Sequence, residues 1–277
     1  MAEEAEDWRD NHRSQLSKLQ YIIDNDIQDY GDVTIIVGAE KKSFRIISAF
    51  IEINSKFLAD KLAVEDELYL PDEDPTHFRM LLRVMYLGKW EANLKEAIPL
   101  LAIAEKYEAD LVEQECKHWL MHEGLSVETS VDLYQEAKEL NVTVAEDIWK
   151  YILENGMAIC QSSTFLNLTQ ENLIQLAQDD DLRIDDETVM VEAVKKWGNR
   201  QRKIISSSKK LSEVVAEVVP KLRLYFISPD SAIILLNQEQ STQLQACRNP
   251  DVRKEVLESP SDACFCVRPR KFFTRFE

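Results

Sequence analysis

Strand-like sequence in this chain ends at Pro71, and the long segment from Ser126 to Leu236 carries only helical periodicity. Asp32-Val33-Thr34-Ile35-Ile36-Val37 is a β-branched run between Gly31 and Gly38 and predicts a strand. Lys42–Ile46 predicts its hairpin partner, and Glu67-Leu68-Tyr69-Leu70, stopped by Pro71, predicts a third strand. A chain of 277 residues with this asymmetry divides into an α+β unit with a small sheet and a following all-α unit. Only 6 glycines and 8 prolines are present, which leaves little turn chemistry for a larger sheet.

The helices of the first unit follow from spacing and caps. Residues 1–13 are acidic and polar and are expected to be disordered. Over residues 11–25, Leu16, Leu19, Ile22 and Ile23 recur at helical spacing. That stripe must be buried, either on its own chain or on a second copy, and periodicity does not choose. Residues 48–62 read as two short helices broken at Asn54-Ser55, with either residue able to cap the second. Asp74-Pro75 opens a helix that Gly88 stops. Asn93 caps the next, but Pro99 predicts that it starts near Ile98 or kinks there. Residues 110–122 form a third helix around Leu111, Val112, Cys116, Trp119 and Leu120.

In the second half, one helical face is built from Val131, Leu133, Tyr134 and Ala137, and another from Val144, Ile148, Trp149 and Ile152. Asn155-Gly156 is expected to end the latter, Gly198 to close a helix centred on Val194 and Trp197, and Pro220 to stop one through Leu211 and Val218. Thr169 is a good N-cap with an incomplete capping box, since Asn172 stands where Glu or Gln would complete it. Ser228-Pro229 opens the last helix, and residues 237–262 read as a polar linker. The tail 263–277 is locally basic, with Arg268-Pro269-Arg270-Lys271. It is either the edge of a recognition region or a segment packed back on the helical unit.

Charge and composition exclude several functions. A formal net charge of −17 opposes binding to nucleic acid and to anionic membrane surfaces. The N-terminus lacks the basic and apolar regions of a signal peptide, and no apolar run approaches the ~20 residues needed to span a bilayer. The 5 cysteines are odd in number, and Cys264 and Cys266 form C-x-C with no companion pair, so reduced thiols are expected instead of a zinc site. His118 and His122 share a helix face, but the glutamate of a zinc protease motif is missing. The acidic run from Asp179 to Glu187 lacks EF-hand spacing and reads as a solvated turn. Nothing in the pattern calls for a cofactor or a catalytic site, so no enzymatic activity is expected.

The ordered residues of the first unit resemble a BTB (POZ) domain. They are Asp32-Val33-Thr34, Phe44, Ile51, Ser55, Phe57, Leu70, Pro75 with Phe78, Tyr86-Leu87-Gly88, and Leu101-Ala102-Ile103-Ala104-Glu105-Lys106-Tyr107. The second unit is similar to a BACK domain at Phe165-Leu166-Asn167-Leu168, Asp179-Asp180-Asp181-Leu182, Ala193-Val194-Lys195-Lys196-Trp197 and Leu222-Arg223-Leu224. On this resemblance the BTB domain spans 14–123 and the BACK domain 125–236, with a linker and tail at 237–277. Ile47 departs from the histidine usual in the family.

The resemblance, which extends to the N-terminal half of kelch-like adaptors, implies further expectations. It implies a homodimer whose interface includes Leu16, Leu19, Ile22 and Ile23. It also implies a cytoplasmic or nuclear substrate adaptor of a cullin-3 RING ubiquitin ligase, taking an unidentified substrate protein. The implied cullin-3 contacts are Leu62, Val64, Glu65 and Tyr107. Ala63-Val64-Glu65 only approximates the family's hydrophobic-x-Glu element, which leaves open a dimeric scaffold without cullin binding.

Overall fold

The computed structural model describes residues 8–25, 27–65, 67–88, 90, 93–205, 208–258, 263 and 265–271. The chain forms two compact units: Met1–Gly124 with Ala137–Val144, and Leu125–Glu136 with Ala145–Glu277.

The first unit holds a three-stranded sheet in the order β2-β1-β3, with β1 at Val33–Val37, β2 at Lys42–Ile46 and β3 at Glu67–Leu70. β1 and β2 are antiparallel, with Ile35 opposite Phe44, whereas β1 and β3 are parallel, with Ile35 opposite Leu68. The parallel pair needs a crossover, and helices Ser48–Glu52 and Lys56–Leu62 supply it. Ile35, Val37, Phe44 and Ile46 are buried while Lys42 and Arg45 are exposed, the period-two pattern of a half-buried sheet. Gly38 turns the hairpin at φ +76° with Glu73 and Pro75 atoms 3.1 Å from where a Cβ would sit, so only glycine fits without strain.

Helices Pro75–Leu87, Leu94–Lys106 and Asp110–Trp119 close the core of this unit with Phe78, Leu81, Ile98, Leu101 and Val112. Asp74 caps the first by accepting from the Thr76 and His77 amides at 2.7 and 3.1 Å. Those donors, His77 first, hold the Asp74 carboxyl below its ordinary value. Gly88 ends the helix in the left-handed conformation, φ 65°. The helix containing Pro99 does not wait for Ile98. It starts at Leu94, where the Asn93 side chain accepts from the Lys95 amide at 3.1 Å. Buried Ala97, Ile98, Leu100 and Leu101 outweigh the one missing backbone bond. The α-helix from Asp110 ends at Trp119, and a π-turn carries Leu120–Gly124.

Ala137–Val144 is tied to this first unit through Glu105. Its carboxylate accepts from the Thr143 amide at 3.1 Å and pairs with Lys117 at 3.3 Å.

The second unit is helical at Val127–Glu139 (its first part), Ala145–Glu154, Gly156–Gln161, Gln170–Gln178 and Glu187–Ile205. Trp197 anchors the last of these by donating its indole N–H to the Leu168 carbonyl at 2.8 Å. Thr169 caps Gln170–Gln178, accepting from the Asn172 amide at 3.2 Å.

One glycine and one proline signal act differently from the expectation, while Asn155-Gly156 does end its helix, at Glu154. Gly156 then opens the next helix, where a Cβ would lie 2.7 Å from the Arg183 carbonyl oxygen. Gly198 sits inside Glu187–Ile205, where a Cβ would lie 2.6 Å from Leu211 Cδ1 and 2.7 Å from Val215 Cγ1. Both glycines mark close approach of elements, Gly156 just after a helix end and Gly198 within a helix. Before Pro220 the helix is only Leu211–Val214, and Pro220 lies within a 3-10 turn, Val219–Lys221.

The chain termini also differ from the reading of the sequence. Pro229–Ala232 is followed by two further helices, Gln238–Ala246 and Pro250–Glu258, in the stretch read as a linker. Asn237 accounts for the first of them, as its side chain accepts from the Gln240 amide at 2.8 Å. At the N-terminus, Trp8–Asn11 forms one helical turn, and residues 1–7 lie outside the described residues. Cys264, Phe272 and Phe273 also lie outside them.

Candidate interaction surfaces

The opening helix is Gln15–Asp24, one turn shorter at its start than periodicity suggested. Ser14 and Ser17 form a reciprocal cap: each hydroxyl accepts from the other's amide, at 3.0 and 3.2 Å. The helix packs on Pro75–Leu87 of its own unit. Ile22 and Ile23 line a cleft of about 40 Å³ with Phe44, Leu82 and Tyr86, and Asp24 pairs with Arg83. No residue of the helix is fully buried, Leu19 is half-buried, and Leu16 is 42% exposed. The apolar stripe therefore divides: Ile22 and Ile23 turn toward their own unit, and Leu16 turns to solvent. Trp8 stacks on Tyr21 of this helix with ring centroids 4.8 Å apart.

A second surface surrounds helix Lys56–Leu62. Ser55, 1% exposed, caps it by accepting from the Leu58 amide at 3.1 Å and donates to the Tyr107 carbonyl at 2.5 Å. Val64 is 84% exposed, Glu65 is exposed, and Leu62 is half-buried. Tyr107 is 3% exposed and donates its phenol to Glu73 at 2.8 Å. Burial, then the bond and the charge of Glu73, push that phenol well above its ordinary value. Val64 and Glu65 thus project, while Tyr107 is an internal brace that holds Ser55 and Glu73 in place. Phe57, not named as a contact from the sequence, stands at the rim 5.8 Å from the Tyr107 ring and is 36% exposed.

Within the same unit, a groove of about 610 Å³ runs between Glu73, His77, Ile103 and Lys106 on one side and Leu140 and Val142 on the other. At Ile47, the position that departs from the family, the backbone amide donates to the Tyr86 hydroxyl at 2.7 Å. Tyr86 in turn stacks on Phe50 at 4.3 Å.

The third surface takes up one of the two readings of the tail, packing back on the helical unit, at a seat that the sequence did not disclose. The tail segment 265–271 lies against the second unit, and the acidic run is its seat instead of a solvated turn. Arg270 and Glu187, both almost wholly buried, approach to 2.6 Å between Nε and Oε1. Arg270 also donates to the Asp179 carbonyl at 2.6 Å. Lys271 bonds Asp181 at 2.7 Å through its ammonium and the Asp180 carbonyl at 3.0 Å through its amide. Arg223, 1% exposed, lies beneath. It donates to the Arg268 carbonyl at 2.8 Å, the Ala177 carbonyl at 2.5 Å and the Asp180 carboxylate at 2.5 Å. Phe265, 4% exposed, meets the edge of Tyr225 at 5.2 Å, and the Cys266 amide bonds the Leu222 carbonyl at 3.1 Å. The one local hint was Arg223 itself, an arginine set between two leucines.

The buried thiols have no reactive setting. Burial pushes Cys116 and Cys160 up to about 12, and Cys247 is raised by the same cause. His118 and His122 have ring centroids 4.5 Å apart, and among the described residues no three metal-binding side chains gather. No helix of the described residues is long and apolar enough to cross a membrane.

Comparison with known proteins agrees with this architecture. The BTB/POZ domain family matches residues 25–123, and the BACK family (BTB And C-terminal Kelch) matches residues 130–236. BTB/POZ domain-containing protein 17 of Xenopus tropicalis is 24% identical over 76% of this chain and 44% of its own length. Human Kelch-like protein 31 is 23% identical over 75% of this chain and 32% of its own length. The chain therefore spans under half of these relatives. A solved structure, the BTB domain of zebrafish PATZ1, is similar over 43% of this chain and 98% of its own, at 19% identity and a TM-score of 0.34. With a small β2-β1-β3 sheet in its first unit, a helical second unit, and both families matched in that order, the chain is a BTB–BACK domain protein.

Proposed function

We propose that the chain is the dimerising, cullin-binding part of a substrate adaptor for a cullin-3 RING ubiquitin ligase. BTB and BACK are typically adaptor or scaffold domains, and relatives with both include kelch-like proteins. The observation that carries the reading is the exposed apolar rim beside the Ser55-capped helix. There Phe57 and Val64 stand in solvent next to Glu65, close in sequence to the expected contact. Apolar anchors ringed by polar groups suit a partner interface. Leu62, Val64 and Glu65 remain the contact candidates, and Tyr107 acts by bracing them. The partner copy in the dimer would cover Leu16 and the outward side of Leu19, with Ile22 and Ile23 supporting the helix from beneath.

Titration calorimetry of the protein with the N-terminal region of cullin-3 tests the reading. Micromolar or tighter binding, weakened about tenfold or more by Val64→Asp, is the expected outcome. Absence of heat at tens of micromolar overturns it. A second reading, a dimeric scaffold that does not bind cullin, is favoured by one feature: Ala63 is small where a hydrophobic-x-Glu element would carry a large side chain. Under it, calorimetry is silent while light scattering still reports a dimer.

A further inference from the structure

We propose that the acidic seat formed by Asp179, Asp180, Asp181 and Glu187 is an exchangeable peptide-binding site for extended Arg-x-Arg-Lys-type segments, occupied in cis by residues 265–271. Four observations support an exchangeable ligand over a fixed piece of the fold. The segment makes no helix or strand, and it is held mainly at two deep anchors, Phe265 and Arg270. Between and beyond them Val267 is half-buried, and Arg268, Pro269 and Lys271 are exposed. The Leu222 and Asp180 carbonyls accept from the Cys266 and Lys271 amides, the mode by which an extended peptide is read independently of most of its side chains, and the Asp179 carbonyl accepts from the Arg270 guanidinium. The buried pair is also imperfect. Arg270 Nη2 donates to Glu187 Oε2 at 3.2 Å, while Glu187 Oε1 and Arg270 Nε, 2.6 Å apart, complete no hydrogen bond of good geometry.

The seat is also prepared from below. Arg223 orients the Asp180 carboxylate at 2.5 Å and the Ala177 and Gln178 carbonyls at 2.5 and 3.2 Å. Glu187 waits inside for one guanidinium, whose planar fork suits a carboxylate better than an ammonium does. Covalent attachment gives the tail a high effective concentration, so it wins over dilute competitors and hides the site in the resting protein. A basic segment of a second copy or of a partner protein would have to displace it.

The test keeps the whole chain. A protease recognition sequence is inserted between residues 258 and 263 and cut after folding. The freed segment should stay bound in low salt. Excess synthetic peptide of residues 263–271 should displace it while the melting transition of the helical unit persists, and high salt should speed the exchange. The same peptide carrying Arg270→Ala should displace it at least about tenfold less well. The proposal is overturned if the segment leaves at once on cutting in low salt. It is equally overturned if displacement abolishes the melting transition, or if the Arg270→Ala peptide competes as well as the parent.

Discussion

Arg270 reaches across the second unit to Glu187, and the two side chains are 1% and 3% exposed. Removing one partner of a buried pair leaves the other charge without compensation, at a cost of about 3–5 kcal/mol where the site stays closed. If segment 265–271 exchanges as proposed, it lifts and lets Glu187 hydrate, which caps the loss. Arg270→Met is therefore expected to abolish hydrogen-exchange protection of the Cys266 and Lys271 amides before it lowers global stability. The double variant Arg270→Met with Glu187→Leu should regain part of that protection, the non-additivity of coupled neighbours. Equal loss in single and double variants would contradict the coupling.

Ser55→Ala should destabilise the first unit by about 1–3 kcal/mol. The hydroxyl both caps helix Lys56–Leu62 and satisfies the Tyr107 carbonyl, and alanine leaves that buried acceptor unmatched. Urea denaturation followed by fluorescence would measure it. A change below about 0.5 kcal/mol would mean water replaces the hydroxyl.

Leu16→Asp separates protomer stability from association. Leu16 is 42% exposed in the single chain, so the charge should leave the melting of a protomer almost unchanged. If the proposed dimer uses this helix, light scattering should show the mass falling toward that of one chain. Ile23→Asp should instead damage both, because Ile23 lines the cleft against Leu82 and Tyr86.

The buried thiols predict a loss of stability in alkali. Cys116 and Cys160 titrate near 12 in the folded chain against an ordinary value of 9.0. The folded state thus holds its thiol protons where the unfolded chain has lost them, so unfolding becomes easier as pH rises. Their contribution is complete below pH 9.0 and declines from there toward about 12. In native protein at pH 8, half-exposed Cys266 should alkylate well before either of them, as peptide mass mapping would reveal.

Legibility of the sequence tracked how local the physics was. Strands Lys42–Ile46 and Glu67–Leu70, the Asn54-Ser55 break, and the caps Asp74, Asn93 and Thr169 depend on neighbours within a few residues, and all could be read. The packing that requires Gly156 and Gly198 could not. Its partners, the Arg183 carbonyl and the side chains of Leu211 and Val215, come from outside their helices. The family resemblance implied Tyr107 as a contact, but the ring is enclosed by Glu73 and Phe78. The seat of Arg270 was invisible for the same reason. Its acidic partners read as a solvated turn because the cations that meet them, Arg223, Arg270 and Lys271, lie far along the chain.

The separation between Glu187 and Arg270 is 83 residues. A chain lengthening on the ribosome therefore makes the intervening helices with this carboxylate still wet, and the cation that seals it arrives 83 residues later. Until that arginine emerges, the earlier helices carry an acid with no cation to meet it, and the tail segment is what closes the unit.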